Sequence, residues 1–400
     1  MKKLIYGYGV TGKAVEAFFN KKNIPYKIFD ENLIGNYKNK IVKEELLKED
    51  FDEVILSPGI QDSNDILNLL RNKNLSVITD IDLFYKYSKQ KSKLIGVTGT
   101  NGKTTFVKLL NKFLELEGFK TKACGNIGES PLNILDTDYD YIVIELSSYQ
   151  LHHTKSMRLD YGVVLNIASD HLDWHGSLES YIKAKSKIFS FVNEEKVIFY
   201  DNIFSIKESR KPYKSKVNLE TYNFNEINLP TDLSISFLDM INFLDFKKEN
   251  IFERAYEYLK RVKPIEHRFE NISFSDDVIF INDSKATNFH AVSSAIGRVE
   301  NALLILHGIT KNMPSSELIL SKNIKKIIKP KDMNVDIKNY EGILIEIESI
   351  YDLKNVLLNE VEKGDTVLFS CGGSSFDDFK NYEDRGNYFK KIVEELKNEN

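Results

Sequence analysis

The sequence predicts an α/β protein of three units, each a parallel sheet covered by helices. Apolar runs of strand length alternate with amphipathic helical stretches along most of the chain. Glycine turns follow two of those runs and open onto helices, at Gly7–Gly12 and at Gly96–Thr105. The 400 residues suffice for roughly two to three domains that each bury a core.

In residues 1–91, Leu4-Ile5-Tyr6, Tyr26–Phe29, Glu53–Leu56 and Val77-Ile78 read as strands of a parallel sheet. Gly7-Tyr8-Gly9-Val10-Thr11-Gly12 follows the first strand, and Asp30 ends the second. That is the dinucleotide fingerprint: the glycines let the backbone approach a pyrophosphate, and the acid holds a ribose. A diphosphate on any nucleoside would satisfy the same glycines, and a plain strand-to-helix turn is the structural alternative. The polar stretch Lys86–Lys93 reads as a linker.

Residues 92–263 open on the most informative stretch. Lys93-Leu94-Ile95 begins a buried strand, GVTGTNGKTT forms a glycine turn, and Phe106–Leu116 places Val107, Leu110, Phe113 and Leu114 at helical spacing. A strand, a glycine turn and a helix N-terminus make an anion site, because free backbone N–H groups and the helix dipole point at a phosphate. Lys103 adds a cation for the terminal phosphates and Thr104 a hydroxyl for Mg²⁺, so a nucleoside triphosphate is the expected ligand. Val97 stands where the usual pattern has its first glycine.

Tyr141–Ile144 and Gly162–Leu165 are further strands. Glu145, at the C-terminal end of the first of these, is placed to hold Mg²⁺; a surface carboxylate is the alternative. Asp170, His171, Asp173 and His175 crowd one turn, where they could ligate a metal or cap the following helix, and spacing does not decide. Lys183, Lys185 and Lys187 read as a solvated helix face. Between 200 and 250 the chain is rich in Asn, Lys and Phe with weak periodicity, and no element is assigned.

From near Pro264 to residue 400, Val278–Ile281, Ala302–Leu306 and Thr366–Phe369 read as strands and Tyr388–Leu396 as an amphipathic helix. Arg268 could reach a γ-phosphate bidentately and Asp283 could accept from ribose hydroxyls. Lys311 and Ser374-Ser375-Phe376 also follow strands, and by themselves are loop residues.

A net charge of −4 argues against a nucleic-acid surface. With only Cys124 and Cys371, no disulfide framework is expected and a reducing compartment fits. The first residues show no small-residue cleavage site, and no apolar run is long enough to span a bilayer. A cytoplasmic protein without membrane insertion is expected.

These motifs together resemble the Mur ligases of peptidoglycan synthesis. The resemblance rests on GYGVTG, SPGI at 57–60, GVTGTNGKTT, GNIG at 125–128, ELSSYQ at 145–150, the DH at 170–171 with YIKAKSKIF, HRFE, INDSKATN and SCGGSSFDDFKNYEDRG at 370–386. The last segment is similar to that of the D-glutamate-adding branch, and the first unit separates the chain from folylpolyglutamate synthases, which share the ATP machinery.

The resemblance implies an N-terminal dinucleotide-binding-like domain holding a UDP-sugar over 1–91, a central P-loop ATPase-like domain over 92–263, and a C-terminal Rossmann-like α/β domain over 264–400 that takes the amino acid. It implies a monomeric ATP- and Mg²⁺-dependent ligase of cell-wall biogenesis that adds D-glutamate to UDP-N-acetylmuramoyl-L-alanine. Val10, Thr11, Asp30, Ser57 and Gly59 would line the UDP pocket, with Asn126 and His171 nearer its muramoyl-alanine end. Gly99, Thr100, Asn101, Gly102, Lys103, Thr104 and Thr105 would hold the ATP phosphates, and Arg268 and Asp283 would hold ATP from the third unit. Thr104 and Glu145 would bind one Mg²⁺ and His171 a second. Lys185 matches the lysine the family carries as a carbamate, an anionic oxygen ligand where an ammonium would repel the metal. Lys103, Glu145, His171, Lys185 and Arg268 would form the catalytic set. Lys285, Thr287, Lys311, Ser375, Phe376 and Tyr382 would form the D-glutamate pocket.

Three features depart from the family. The chain is short, with the loss near 200–250; the family's His-Asn-x-x-Asn has at best Ile241–Asp245 here; and its paired glycines before Lys311 appear as His307-Gly308. Another Mur-type or folylpolyglutamate-synthase-like amide ligase is one alternative. A NAD-dependent oxidoreductase would use GYGVTG but leave the Lys103 loop unexplained. A non-catalytic nucleotide-binding module could lack Glu145, Lys185 and Arg268, all of which are present.

Overall fold

Short strands whose side chains are nearly all apolar need cover on both faces, and parallel crossovers through helices supply it. The computed structural model describes residues 2–399 other than 36, 47, 90, 201–211, 219–220, 245, 247, 264, 274, 276 and 338–339. Among these residues, β1 (Lys3–Tyr6), β2 (Tyr26–Phe29), β3 (Glu53–Leu56) and β4 (Ser76–Ile78) form a parallel sheet in the order β2-β1-β3-β4. Strands β5 (Lys93–Thr98), β6 (Thr121–Gly125), β7 (Tyr141–Glu145), β8 (Tyr161–Val164) and β9 (Val197–Ile198) form a second, also parallel, in the order β6-β7-β5-β8-β9.

The chain divides into two compact units. The first, Met1–Ile167, Glu179–Val217 and Ile235–Ala255, contains both of these sheets. One buried cluster runs through them, from Ile5, Phe18 and Phe84 to Leu132, Ile142 and Phe189. Polar bonds tie the same two regions: Asp82 accepts from the backbone N–H groups of Lys155 at 2.8 Å and Ser156 at 2.6 Å, and Ser130 donates to Asp80 at 3.0 Å.

The second unit, Ala168–Leu178, Asn218–Ser234 and Tyr256–Asn400, holds the third sheet. Its strands are β10 (Glu270–Asn271), β11 (Ile279–Asp283), β12 (Ala302–His307), β13 (Ile324–Pro330), β14 (Ile343–Ile347) and β15 (Thr366–Gly372), ordered β10-β11-β15-β12-β13-β14. Only the pairing of β10 with β11 is antiparallel. The helix Phe289–Ile296 covers one face and the helix Tyr382–Glu399 the other, where Phe389 stacks on Phe369 with centroids 4.4 Å apart.

All ten expected strands are present, with ends shifted by up to three residues. Strands β6, β9, β10, β13 and β14 were not expected. In β13, lysines interrupt the apolar pattern, yet Lys326 and Lys329 are paired with Glu360 and Glu346. The assumed linker is shorter than Lys86–Lys93, since Lys86 lies in the helix Asp80–Tyr87 and Lys93 opens β5; Gln90 lies outside the described residues. The region near 200–250 contains the helices Thr231–Phe243 and Ile251–Lys260. The first hides its period because Ser234, Ser236 and Asp239 are buried alongside its apolar residues. Of the segment Ile241–Asp245, Asp245 lies outside the described residues, as does Pro264. Among the described residues no helix is long and apolar enough to cross a membrane.

Candidate functional site

In the second sheet β5 lies between β7 and β8, and its C-terminal end feeds the glycine turn, the place where open α/β sheets bind ligands. Gly102 caps the helix Lys103–Leu116 with φ 79°, a left-handed conformation that a side chain would strain. The Lys103 ammonium folds back on its own turn, donating to the carbonyls of Gly99 at 2.7 Å and Thr100 at 2.8 Å. Asn166, just beyond β8, braces the turn from outside: its carbonyl accepts from Thr100 N at 2.9 Å and its side-chain oxygen from Asn101 N at 2.8 Å.

Glu145 ends β7 and is 2% exposed. One carboxylate oxygen accepts from the Thr104 hydroxyl at 2.9 Å and the other from the Asn126 amide at 3.0 Å. The structure thus joins three residues named separately from the sequence, and the surface alternative for Glu145 falls. The solvated-face reading also fails for Lys185, which is 1% exposed. Its ammonium donates to the Gly99 carbonyl at 2.7 Å and lies 4.7 Å from the centroid of Tyr181. The Tyr181 hydroxyl in turn is 2.9 Å from Thr100 Oγ1. Lys183 is exposed, while Lys187 is half-buried and donates to the His152 carbonyl at 2.9 Å.

At the ends of the first sheet, Asp30 accepts from Tyr8 N at 2.6 Å, so the acid is tied to the glycine turn itself. Ser57 donates to the Gly7 carbonyl at 2.9 Å, and Val10 is exposed beside them. Turn, acid and serine therefore share one end of the sheet, with Thr11 in the first turn of the helix Val10–Lys22 and Gly59 in the turn after β3.

In the second unit, Asp283 ends β11 and accepts from Phe269 N at 3.0 Å and the Ser370 hydroxyl at 2.8 Å. Burial pushes its carboxyl up to about 6, against the pull of the Ser370 bond and of Arg298 and Arg268. Arg298 lies 3.6 Å from the centroid of Phe269. Lys285 sits 4.0 Å from the centroid of Tyr382. Lys311 pairs with Asp170 at 2.9 Å. Burial alone would raise that carboxyl, but Lys311 and then His171 hold it below the usual range. Ser375 is buried, whereas Phe376 is exposed.

The crowded turn at 170–175 resolves partly. Asp170 is taken up by Lys311 and Asn288, and His171, at φ 56°, leads the short helix Leu172–His175 with no side-chain cap. Asp170, His171, Asp173 and His175 do not converge as a metal cluster; among the described residues the groups that do are Asp62, His152, His153 and His307, Asp377, Asp378. His171 belongs to the second unit, and Thr104, Glu145 and Lys185 to the first.

Residues 97–254 match the Mur ligase middle domain. The UDP-N-acetylmuramoylalanine--D-glutamate ligase of Natranaerobius thermophilus is 32% identical, covering 99% of this chain and 98% of its own. The chain belongs to the Mur ligase family. The enzyme of the same name from Thermotoga sp. (strain RQ2) is likewise 32% identical, over 86% of this chain and 84% of its own. Among solved structures, MurF ligase from Thermotoga maritima in complex with ADP matches in fold, with a TM-score of 0.55 at 17% identity, over 95% of this chain and 92% of that one.

In this Mur ligase, several structurally central residues went unassigned from the sequence. Asn166 and Tyr181 brace the phosphate loop, and Arg298 stacks beside Asp283. Arg385 is fully buried: its guanidinium donates to the carbonyls of Ser284 at 2.8 Å, His307 at 3.1 Å and Gly373 at 3.1 Å. It lies within residues 370–386, which carry part of the family resemblance, but nothing in the local sequence signals burial. A cavity of about 600 Å³ is lined by Arg71, His152, His153, Lys155 and Lys187, with Asp62 bridging His152 and Arg71; it includes no residue of the phosphate loop.

Proposed function

We propose that this Mur ligase joins D-glutamate to UDP-N-acetylmuramoyl-L-alanine at the expense of ATP, through an acyl phosphate. One observation carries the reading: the phosphate loop with Lys103, the Thr104–Glu145 oxygen pair and buried Lys185 gather at one sheet end. End-to-end similarity to ligases named for this reaction supports it. We read residues 1–91 as the UDP-binding domain, 92–263 as the ATP-binding domain and 264–400 as the amino-acid domain, in a cytoplasmic monomer.

The Thr104 hydroxyl and Glu145 carboxylate, both hard oxygen donors 2.9 Å apart, fit Mg²⁺. Lys185 as its carbamate would add another, and His171 would serve a second ion. Bound there, Mg²⁺ would neutralise charge on the phosphates. The substrate's alanyl carboxylate attacks the γ-phosphorus and ADP leaves, with Lys103 and Arg268 countering the charge on the transferring group. The amine of D-glutamate then attacks the acyl carbon, phosphate leaves, and the nitrogen gives up a proton. Val10, Thr11, Asp30, Ser57, Gly59 and Asn126 hold the UDP-substrate. Lys285, Thr287, Lys311, Ser375, the Phe376 backbone N–H and Tyr382 receive D-glutamate, and Asp283 the ATP ribose.

Phosphate release measured with UDP-N-acetylmuramoyl-L-alanine, ATP and each of D-glutamate, L-glutamate, L-lysine and glycine tests this. D-glutamate should be preferred, because buried donors left unpaired by the others penalise them by several kcal/mol, on the order of a hundredfold or more. Preference for L-lysine or L-glutamate would overturn the assignment of substrate while leaving the ATP chemistry intact.

A further inference from the structure

We propose that His307 is a positioning residue for the amino-acid acceptor: as a neutral imidazole with its proton on Nε2, it clamps the loop carrying Ser375 and Phe376 against the one carrying Lys311. The inference rests on the D-glutamate reading above.

His307 ends β12 and is 1% exposed. Its Nδ1 lies 3.3 Å from Arg385 NH1. A guanidinium has only N–H groups to offer and keeps its charge, so Nδ1 must present a lone pair. The ring proton therefore sits on Nε2, which is 3.0 Å from Asp378 Oδ2 and 3.9 Å from Asp377 Oδ2. Burial holds the imidazole below its ordinary range; Arg385 adds to that, and Asp377 and Asp378 oppose it.

The backbone beyond His307 fixes the other end of the same loop. Gly308 has φ 109°, and a Cβ there would meet the Ser374 carbonyl at 2.2 Å, so only glycine lets the two strand ends approach so closely. Ile309 and Ser374 then exchange backbone hydrogen bonds of 2.9 and 2.8 Å. Thus Ser374 is tied by Ile309 and Asp378 by His307, with Ser375, Phe376 and Asp377 strung between. Lys311 follows two residues after Ile309. One strand end thereby sets where both acceptor loops stand relative to each other.

His307, Asp377 and Asp378 also converge as metal-type side chains. A permanent cation on the ring's other nitrogen opposes a divalent ion there, and an Nε2–H that donates to Asp378 cannot ligate one. The trio reads as a hydrogen-bonded clamp.

Steady-state kinetics of four variants test the proposal. His307→Asn keeps an acceptor where Nδ1 stands and removes the donor to Asp378. His307→Gln keeps a donor where Nε2 stands. Asp378→Ala acts from a side chain 39% exposed, so the fold should survive it. His307→Asn and Asp378→Ala should each raise KM for D-glutamate about tenfold or more, with KM for ATP and for the UDP-substrate within about twofold. The pair combined should be no worse than either alone, and His307→Gln should stay within about threefold of wild type. Unchanged KM for D-glutamate in Asp378→Ala, or an equal rise in all three KM values, would overturn the clamp while leaving the substrate reading standing. Wild-type enzyme inert toward D-glutamate would overturn both.

Discussion

Replacing Lys185 by Met separates two roles that its burial makes comparable in appearance. As an ammonium, Lys185 gains a charge-assisted hydrogen bond to Gly99, worth about 1.5–3 kcal/mol, and a cation–π contact with Tyr181 of up to about 2 kcal/mol. Against this stands the removal of a charge from water, an effective cost of several kcal/mol. The terms nearly cancel, so an unbranched apolar side chain of similar length should leave stability within about 1 kcal/mol of wild type. As a carbamate, the same residue supplies an anionic oxygen to the metal. Losing one such contact to the transferring charge costs on the order of 3 kcal/mol in the barrier. At about 1.4 kcal/mol per tenfold, that is a fall in turnover of roughly 150-fold. Phosphate release at saturating substrates reads the second quantity and the urea midpoint the first. Bicarbonate enriched in carbon-13 should give a carbamate signal in wild type that is missing in Lys185→Met, and a small carboxylic acid in solution should restore part of the activity. Lys183→Ala, on the exposed side of the same helix, should match wild type in both assays. A stable Lys185→Met enzyme with turnover within about fivefold of wild type would refute the carbamate role.

Lys103→Ala should lower phosphate release by about 3 kcal/mol or more in the barrier, while calorimetric binding of the UDP-substrate survives; substantial residual turnover would sink the phosphate assignment. Arg385→Met leaves the carbonyls of Ser284, His307 and Gly373 without this buried donor, at about 1–3 kcal/mol each. A urea midpoint near wild type would contradict the bonding described for it. His153, buried and donating to the Ile60 carbonyl at 2.8 Å, has its pKa lowered by burial to about 4. The unfolded chain takes up this proton first, so His153's contribution to stability is intact above the ordinary histidine value of about 6.5 and is lost as pH falls towards about 4, by roughly 3 kcal/mol at most. His153→Gln, which keeps the donor without the titration, should flatten the stability curve across that window, and curves of equal slope would exclude His153 as their cause.

What was legible in the sequence depended on how locally each feature is encoded. The phosphate loop and the first glycine turn could be read because strand, glycines and helix lie in unbroken order and the backbone conformation itself demands glycine. Strands buried on both faces announce themselves as apolar runs, as in β7 and β12. Edge strand β14 carries the same kind of run, Ile343-Leu344-Ile345, and was equally legible, although Ile343 and Leu344 are exposed. The three lysines of 183–187 misled for a geometric reason: residues two apart on a helix point to different sides. Their spacing therefore argued against a shared solvated face, and Lys185 is the one turned inward.

Arg385 marks the limit of such reading, because the main-chain carbonyls it bonds come from three strand ends far apart in sequence. Strands β11, β15 and β12 lie side by side, and Ser284, Gly373 and His307 stand at their C-terminal ends. Where the chain leaves the sheet these carbonyls accept from Arg385, which is itself fully buried. A neutral side chain has too few donors for that many acceptors, whereas a guanidinium has five in one plane. The same helix that delivers Arg385 begins at Tyr382, and the loops it secures hold Lys285, Lys311 and Ser375. The residues proposed to receive the amino acid therefore stand on loops secured by backbone hydrogen bonds, and the contacts of Lys311 with Asp170 and of Lys285 with Tyr382 orient two of those side chains on that frame.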